Sequence, residues 1–94
     1  MTHLIAALTA GLIALASPAL AADLYEVYGV EEDDMLKMRA GPGTGFDVIV
    51  GLPNGAEVRV RDCERTGSTV WCRVSLEKAR SLKGYVSQAY IRAK

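Results

Sequence analysis

The sequence predicts a small all-β domain, a closed or nearly closed barrel of five to seven short antiparallel strands, behind an export leader. Three observations carry this expectation. Apolar and polar residues alternate with a period of two in several short runs, and Gly- and Pro-rich turns separate those runs. No stretch after residue 22 has the 3.6-residue apolar repeat of an amphipathic helix, so a sheet curled on itself is the economical way to bury the apolar faces.

The leader is distinct from the rest. Residues 4–16 are Ala, Leu or Ile except for Thr9 and Gly11, about the length of a signal-peptide core and short for a bilayer span. Pro18 ends that run, and Ala19-Leu20-Ala21 offers small residues where a signal peptidase needs them. Residues 1–21 are therefore expected to be a signal peptide cut after Ala21, and residues 22–94 the exported domain. A periplasmic or secreted location follows, with no stable membrane span after cleavage. Every Lys, Arg, Asp and Glu lies after Ala22, 11 basic against 11 acidic, so the domain is formally neutral and lacks the basic footprint of a nucleic-acid binder.

Along the domain, residues 25–30 form a β-prone run that gives way to Glu31-Glu32-Asp33-Asp34, an acidic turn that no sheet interior would hold. Leu36, Met38 and Ala40 then alternate with Lys37 and Arg39. Gly41-Pro42-Gly43-Thr44-Gly45 supplies three residues free to take positive φ, which predicts an irregular loop closed by Phe46. Residues 47–52 are a second β-rich run, and Leu52-Pro53-Asn54-Gly55 reads as the turn of a hairpin whose return strand carries Val58 and Val60. Thr66-Gly67-Ser68 makes another turn, after which Cys72, Val74 and Leu76 share one face and Trp71, Arg73 and Ser75 the other. Residues 77–82 are expected to be a polar connection with at most one helical turn, followed by a short last strand over residues 83–86.

Cys63 and Cys72 are the only cysteines, and export puts them where a disulfide persists. A domain this small has little stability to spare, and a bridge closing so short a loop should add about 2 to 3 kcal/mol. The parity is awkward, because strict alternation from an inward Val60 sends Cys63 outward while Cys72 lies with Val74. A bulge near residues 61–63 would reconcile the two.

Read together, Leu36-Lys37-Met38-Arg39-Ala40-Gly41-Pro42-Gly43-Thr44-Gly45-Phe46, Leu52-Pro53-Asn54-Gly55, Trp71-Cys72-Arg73-Val74, Gly84-Tyr85-Val86 and Tyr90-Ile91 resemble the bacterial Src homology 3 domains over about residues 24–92. The resemblance implies a small Src homology 3-like barrel and a non-catalytic binding role. Three features depart from the usual pattern: Lys37 where Asn is common, Tyr85 where Trp is common, and a longer connection between Leu76 and Gly84. A ligand preference borrowed from better-known relatives therefore does not carry over.

Catalysis is not expected. His3, the only histidine, leaves with the leader, both cysteines are taken to be bonded, and Ser68, Ser75, Ser81 and Ser87 have no base beside them in the pattern. The acidic run lacks the spaced ligands and turn glycine of a calcium loop, and no Gly-Lys-Ser or Gly-Lys-Thr follows the glycine loop, so neither a metal nor another cofactor is expected. If the chain folds as its resemblance implies, Phe46, Trp71, Tyr85 and Tyr90 come together as a shallow groove beside Thr44 and the glycine loop, with Arg39 as a companion. Aromatic walls of this kind suit an extended peptide. The same aromatics also suit the inside of a small barrel, and alternation makes Trp71 the one expected to face solvent. The expected partner is a peptide, peptidoglycan or an envelope protein. The alternative is a structural or regulatory subunit that docks on an envelope enzyme.

Overall fold

The computed structural model describes residues 23–94; the expected leader and its cleavage point lie outside the described residues. Seven strands account for most of this span: β1 Asp23–Val27, β2 Leu36–Arg39, β3 Val48–Leu52, β4 Glu57–Thr66, β5 Thr69–Leu76, β6 Ala79–Ser87 and β7 Ile91–Ala93. A single 3-10 turn, Gln88–Tyr90, separates β6 from β7. The strands form one antiparallel sheet in the order β3-β2-β6-β5-β4-β1-β7, curled into the half-barrel of an Src homology 3-like fold.

The core is the inner face of this curl. Val27, Leu36, Met38, Leu52, Val58, Cys72, Val74, Val86 and Ile91 are buried together, drawn from every strand except the outward-facing ends of β3 and β4. Burying a valine or methionine side chain fully is worth about 1.5 to 3 kcal/mol, so this cluster is the main force closing the sheet. One glycine is dictated by close approach. A Cβ on Gly84 would lie 2.6 Å from the Met38 Cγ and 2.8 Å from the Arg39 carbonyl oxygen, so β6 can pass β2 only without a side chain there.

The β4–β5 hairpin holds the disulfide. The pairing slips between Val60 and Asp62, and this bulge brings Cys63 directly opposite Cys72, with a Cα–Cα distance of 3.9 Å. The alternation of β4 thus predicts the irregularity correctly, and Gly67, with φ of 67°, turns the hairpin between Thr66 and Thr69.

Four expectations about the backbone need correction. The Pro53 turn reverses the chain, yet β3 and β4 do not pair; β3 pairs only with β2 and forms one edge of the sheet. Asn54 explains this, since its side-chain amide bonds both the N–H and the C=O of Val30, and the Gly55 N–H donates to the Val27 carbonyl, tying the turn to the end of β1. Residues 77–82 are not a polar connection with a helical turn: β6 starts at Ala79 and pairs with β5 from Leu76 onward. Residues 83–86 are not the last strand either, because β7 follows and pairs with β1. Finally, the positive-φ glycines are Gly29, Gly55 and Gly67, not those of residues 41–45. Gly41 is needed for room instead, since a Cβ there would come within 2.6 Å of the Phe46 ring.

Candidate functional site

Sheet register decides which side chains can share a site on the outer face. Arg39 of β2 pairs with Tyr85 of β6, Tyr85 with Arg73 of β5, and Ser87 of β6 with Trp71 of β5. Lys37, two residues before Arg39, and Ser87, two residues after Tyr85, therefore lie on the same face and toward the same end of the sheet. At that end a groove of about 380 Å³ opens, floored by Lys37, Arg39, Ser87, Thr69 and Trp71. The loop between β1 and β2 forms one wall through Val30, Glu31, Asp34 and Met35, while Tyr90 and Thr44 close its ends. The Tyr90 carbonyl accepts from the Tyr28 N–H at 2.9 Å, which fixes the 3-10 turn against the exit of β1.

Of the six side chains that sequence reasoning proposed for ligand contact, the groove collects Arg39, Thr44, Trp71 and Tyr90 and leaves out Phe46 and Tyr85. Phe46 is 48% exposed but turned onto its own glycine loop, against Gly41 and Gly43. Tyr85 sits one row further along the sheet, half-buried between Arg39 and Arg73.

Trp71 does not face solvent as alternation predicts; it is only 6% exposed. The physical reason is its place in the sheet. β5 is the middle strand of seven, and the 3-10 turn packs against it, so both of its faces are covered at several positions. Even so, the indole N–H of Trp71 makes no hydrogen bond within the described protein and is not sealed from the surface. A tryptophan buried to this degree normally finds a partner for that donor. Here the small accessible remainder of the residue opens on the groove.

Arg39 has a different role from the one expected of a ligand companion alone. Its Nη1 donates to the carbonyl oxygens of Thr44 and Phe46, at 3.1 and 2.9 Å, and so clamps the glycine loop shut. The guanidinium carries five N–H donors in a rigid fork, so Nε and Nη2 remain available beside the groove in a fixed pose. Lys37 makes no ion pair or hydrogen bond within the described protein. On the opposite wall Asp34 spends one carboxylate oxygen on the Met35 N–H at 2.7 Å.

The sequence reading did not propose Lys37, Glu31, Asp34, Thr69 or Ser87 as ligand contacts. For Lys37 the signal was present: it shares a face with Arg39 and stands where the resembled pattern has a neutral residue.

Some of the charges outside the groove pair with each other. Glu26 of β1 lies opposite Glu57 of β4 and opposite Arg92 of β7. Two carboxylates facing across a pair repel, and Lys94 relieves this by reaching Glu57 at 2.8 Å and Glu26 at 3.7 Å. Arg92 holds Glu26 at 2.8 Å and lies over the Tyr28 ring, 4.9 Å from its centroid. The Arg92 hydrogen bond holds the Glu26 carboxyl below the usual carboxylate range, and the Lys94 ammonium is raised chiefly by Glu57. Arg59 grips Glu77 with two bonds, Nε to Oε1 at 2.8 Å and Nη2 to Oε2 at 3.1 Å, and Arg80 adds contacts to Oε1 from Nη2 at 3.0 Å and Nε at 3.2 Å. The Arg59 bonds are the main reason the Glu77 carboxyl falls to about 2, and Glu77 in turn raises the Arg59 guanidinium. A second hollow of about 450 Å³ lies between Leu52, Ala56 and Leu76, but its Glu57 already belongs to Lys94. Among the described residues, no three His, Cys, Asp or Glu side chains converge as a metal site.

The sequence profile of the bacterial SH3 domain matches residues 34–92. The chain belongs to the bacterial SH3 domain family. Two proteins of Bacillus subtilis strain 168, both of uncharacterized function, are similar to it along most of their length. YraJ is 28% identical over 102 residues, covering 97% of this chain and 85% of its own. YraI is 28% identical over 93 residues, covering 87% of this chain and 76% of its own. No solved structure matches the chain. Membership of the family makes this bacterial SH3 domain a binding module in general terms.

Proposed function

We propose that this bacterial SH3 domain is an exported, non-catalytic module that binds an extended peptide of the cell wall or of an envelope protein in the groove floored by Trp71. The observation that carries this reading is the nearly buried Trp71, which lines the groove and whose indole N–H has no acceptor among the described residues. A carbonyl of an extended backbone is the acceptor it suits, and Tyr90, Thr44, Thr69 and Ser87 supply further hydroxyls around it. Export is supported by the leader pattern of residues 1–21 and by the Cys63–Cys72 bridge, which a reducing compartment would not keep.

A second reading, docking on an envelope enzyme, has its own support. The open edge of the sheet at β3 exposes Val48 and Ile49, with Phe46 beside them, and β3 itself carries no charged side chain. One experiment separates the two. Heteronuclear NMR with soluble wall peptides should shift the Trp71 indole resonance and the amides of Ser87 and Tyr90. Shifts confined to Phe46, Val48 and Ile49, and seen only with envelope protein extract, would overturn the groove reading in favour of the edge. Trp71→Phe keeps a ring in the cavity and removes the donor, so it should weaken peptide binding by about tenfold, the worth of one hydrogen bond to a polar ligand.

A further inference from the structure

The groove's charges are as informative as its aromatics. Its lining includes two cations, Lys37 and Arg39, on the strand side and two carboxylates, Glu31 and Asp34, on the loop side. None of the four forms a salt bridge, although charged side chains around Glu26, Glu57 and Glu77 pair closely. Lys37 has no partner among the described residues, and the donors left on Arg39 are held in place by its grip on the glycine loop. A small cavity lined by charges of both signs in equal number, the cations on β2 and the carboxylates on the loop before it, favours a ligand that is itself dipolar. A polyanion would meet Glu31 and Asp34, and a polycation would meet Lys37 and Arg39.

We infer that the groove selects short peptides with both ends free, the carboxylate against Lys37 and Arg39 and the ammonium against Glu31 and Asp34. This rests on the groove being the binding site and names the class of peptide it takes. Arg39 suits the carboxylate because a guanidinium presents parallel N–H donors to two oxygens. The volume of about 380 Å³ is near the lower limit for ligand sites, so only a few residues fit between the two ends. A wall peptide whose ends are both tied into amide cross-links lacks these charges. A released or uncross-linked one has them.

The test uses the disulfide-bonded protein and one synthetic pool of random tripeptides prepared in three forms: free at both ends, amidated at the C-terminus, and acetylated at the N-terminus. The shift of the Trp71 indole resonance reports binding. The free pool should half-saturate at about tenfold lower concentration than the amidated pool, with the acetylated pool in between, as expected for a desolvated charge-assisted contact against a more exposed one. Lys37→Ala, at an exposed position, should narrow the difference between the free and amidated pools, with Arg39 keeping the remainder. Equal half-saturation by free and amidated pools would overturn the inference and leave the groove reading standing. No Trp71 shift with any pool or with wall peptides would overturn both.

Discussion

The molecule treats charge in two opposite ways. Where β1, β4 and β7 meet, and at the neighbouring Glu77, the buried fraction of each carboxylate is matched by an Arg or Lys, to the point that Lys94 bridges two glutamates which would otherwise repel. At the groove, Lys37 and Glu31 make no side-chain contact with a partner of opposite sign. Both regions lie on the same curled sheet and share the β4–β5 hairpin, since Arg59 sits on β4 and Trp71 on β5. The difference separates charges that hold the fold from charges that carry none of it.

Breaking the shared hairpin should have the largest effect. The double variant Cys63→Ala, Cys72→Ala is expected to lose about 2 to 3 kcal/mol in denaturant unfolding, the loop-closure contribution of a bridge spanning so few residues. Unchanged stability would mean that the strand ladder alone sets the hairpin, and that the groove and the paired region do not lean on a common staple.

Acid should then separate the two regions. Glu77 titrates near 2 in the folded protein and near the ordinary carboxylate value of about 4.3 when unfolded. The unfolded chain therefore takes up its proton first as pH falls, so the stability contributed by the Arg59 pair is complete above about 4.3 and is lost progressively toward about 2. Glu26, lowered by Arg92, acts in the same direction. Melting temperature against pH should accordingly be flatter over that interval in Glu77→Gln than in the parent, while Lys37→Ala, which changes only the groove, should follow the parent curve. Superimposable curves for Glu77→Gln and the parent would show that this pair is not a folding contact.

The smallest effect concerns Ser75, fully buried on β5 with a hydroxyl that finds no hydrogen-bond partner. Ser75→Ala removes an orphaned polar atom with little change in shape and should leave stability unchanged or raise it by up to about 1 kcal/mol. A clear loss would mean the hydroxyl is engaged, and that the outer face of β5 is less sharply divided between packing and binding than the groove suggests.

Most of the fold was legible because it is written in short-range patterns. Alternation located the strands containing Met38, Val58 and Val74, and the parity conflict between Val60 and Cys63 anticipated the bulge that the disulfide requires. Strand pairing was less legible, because it depends on contacts far apart in sequence. The Pro53 turn reads locally as a hairpin, and only the long-range bonds from Asn54 to Val30 show that β4 leaves for the other side of the sheet. The site was half legible for a related reason. Residue type singled out Trp71 and Arg39, whereas the burial of Trp71 comes from a turn that closes over β5 after the whole sheet has been traversed, and alternation within one strand carries no trace of it.

The position of β1 has a consequence for timing. It is the first strand of the domain, yet one of its edges pairs with β7, and the Lys94 N–H reaches the Leu24 carbonyl at 3.0 Å. During synthesis β1 thus waits for β7 before its backbone is fully bonded. Such a sheet closes slowly relative to one built from neighbours, so the strands between β1 and β7 are all made before the sheet can close.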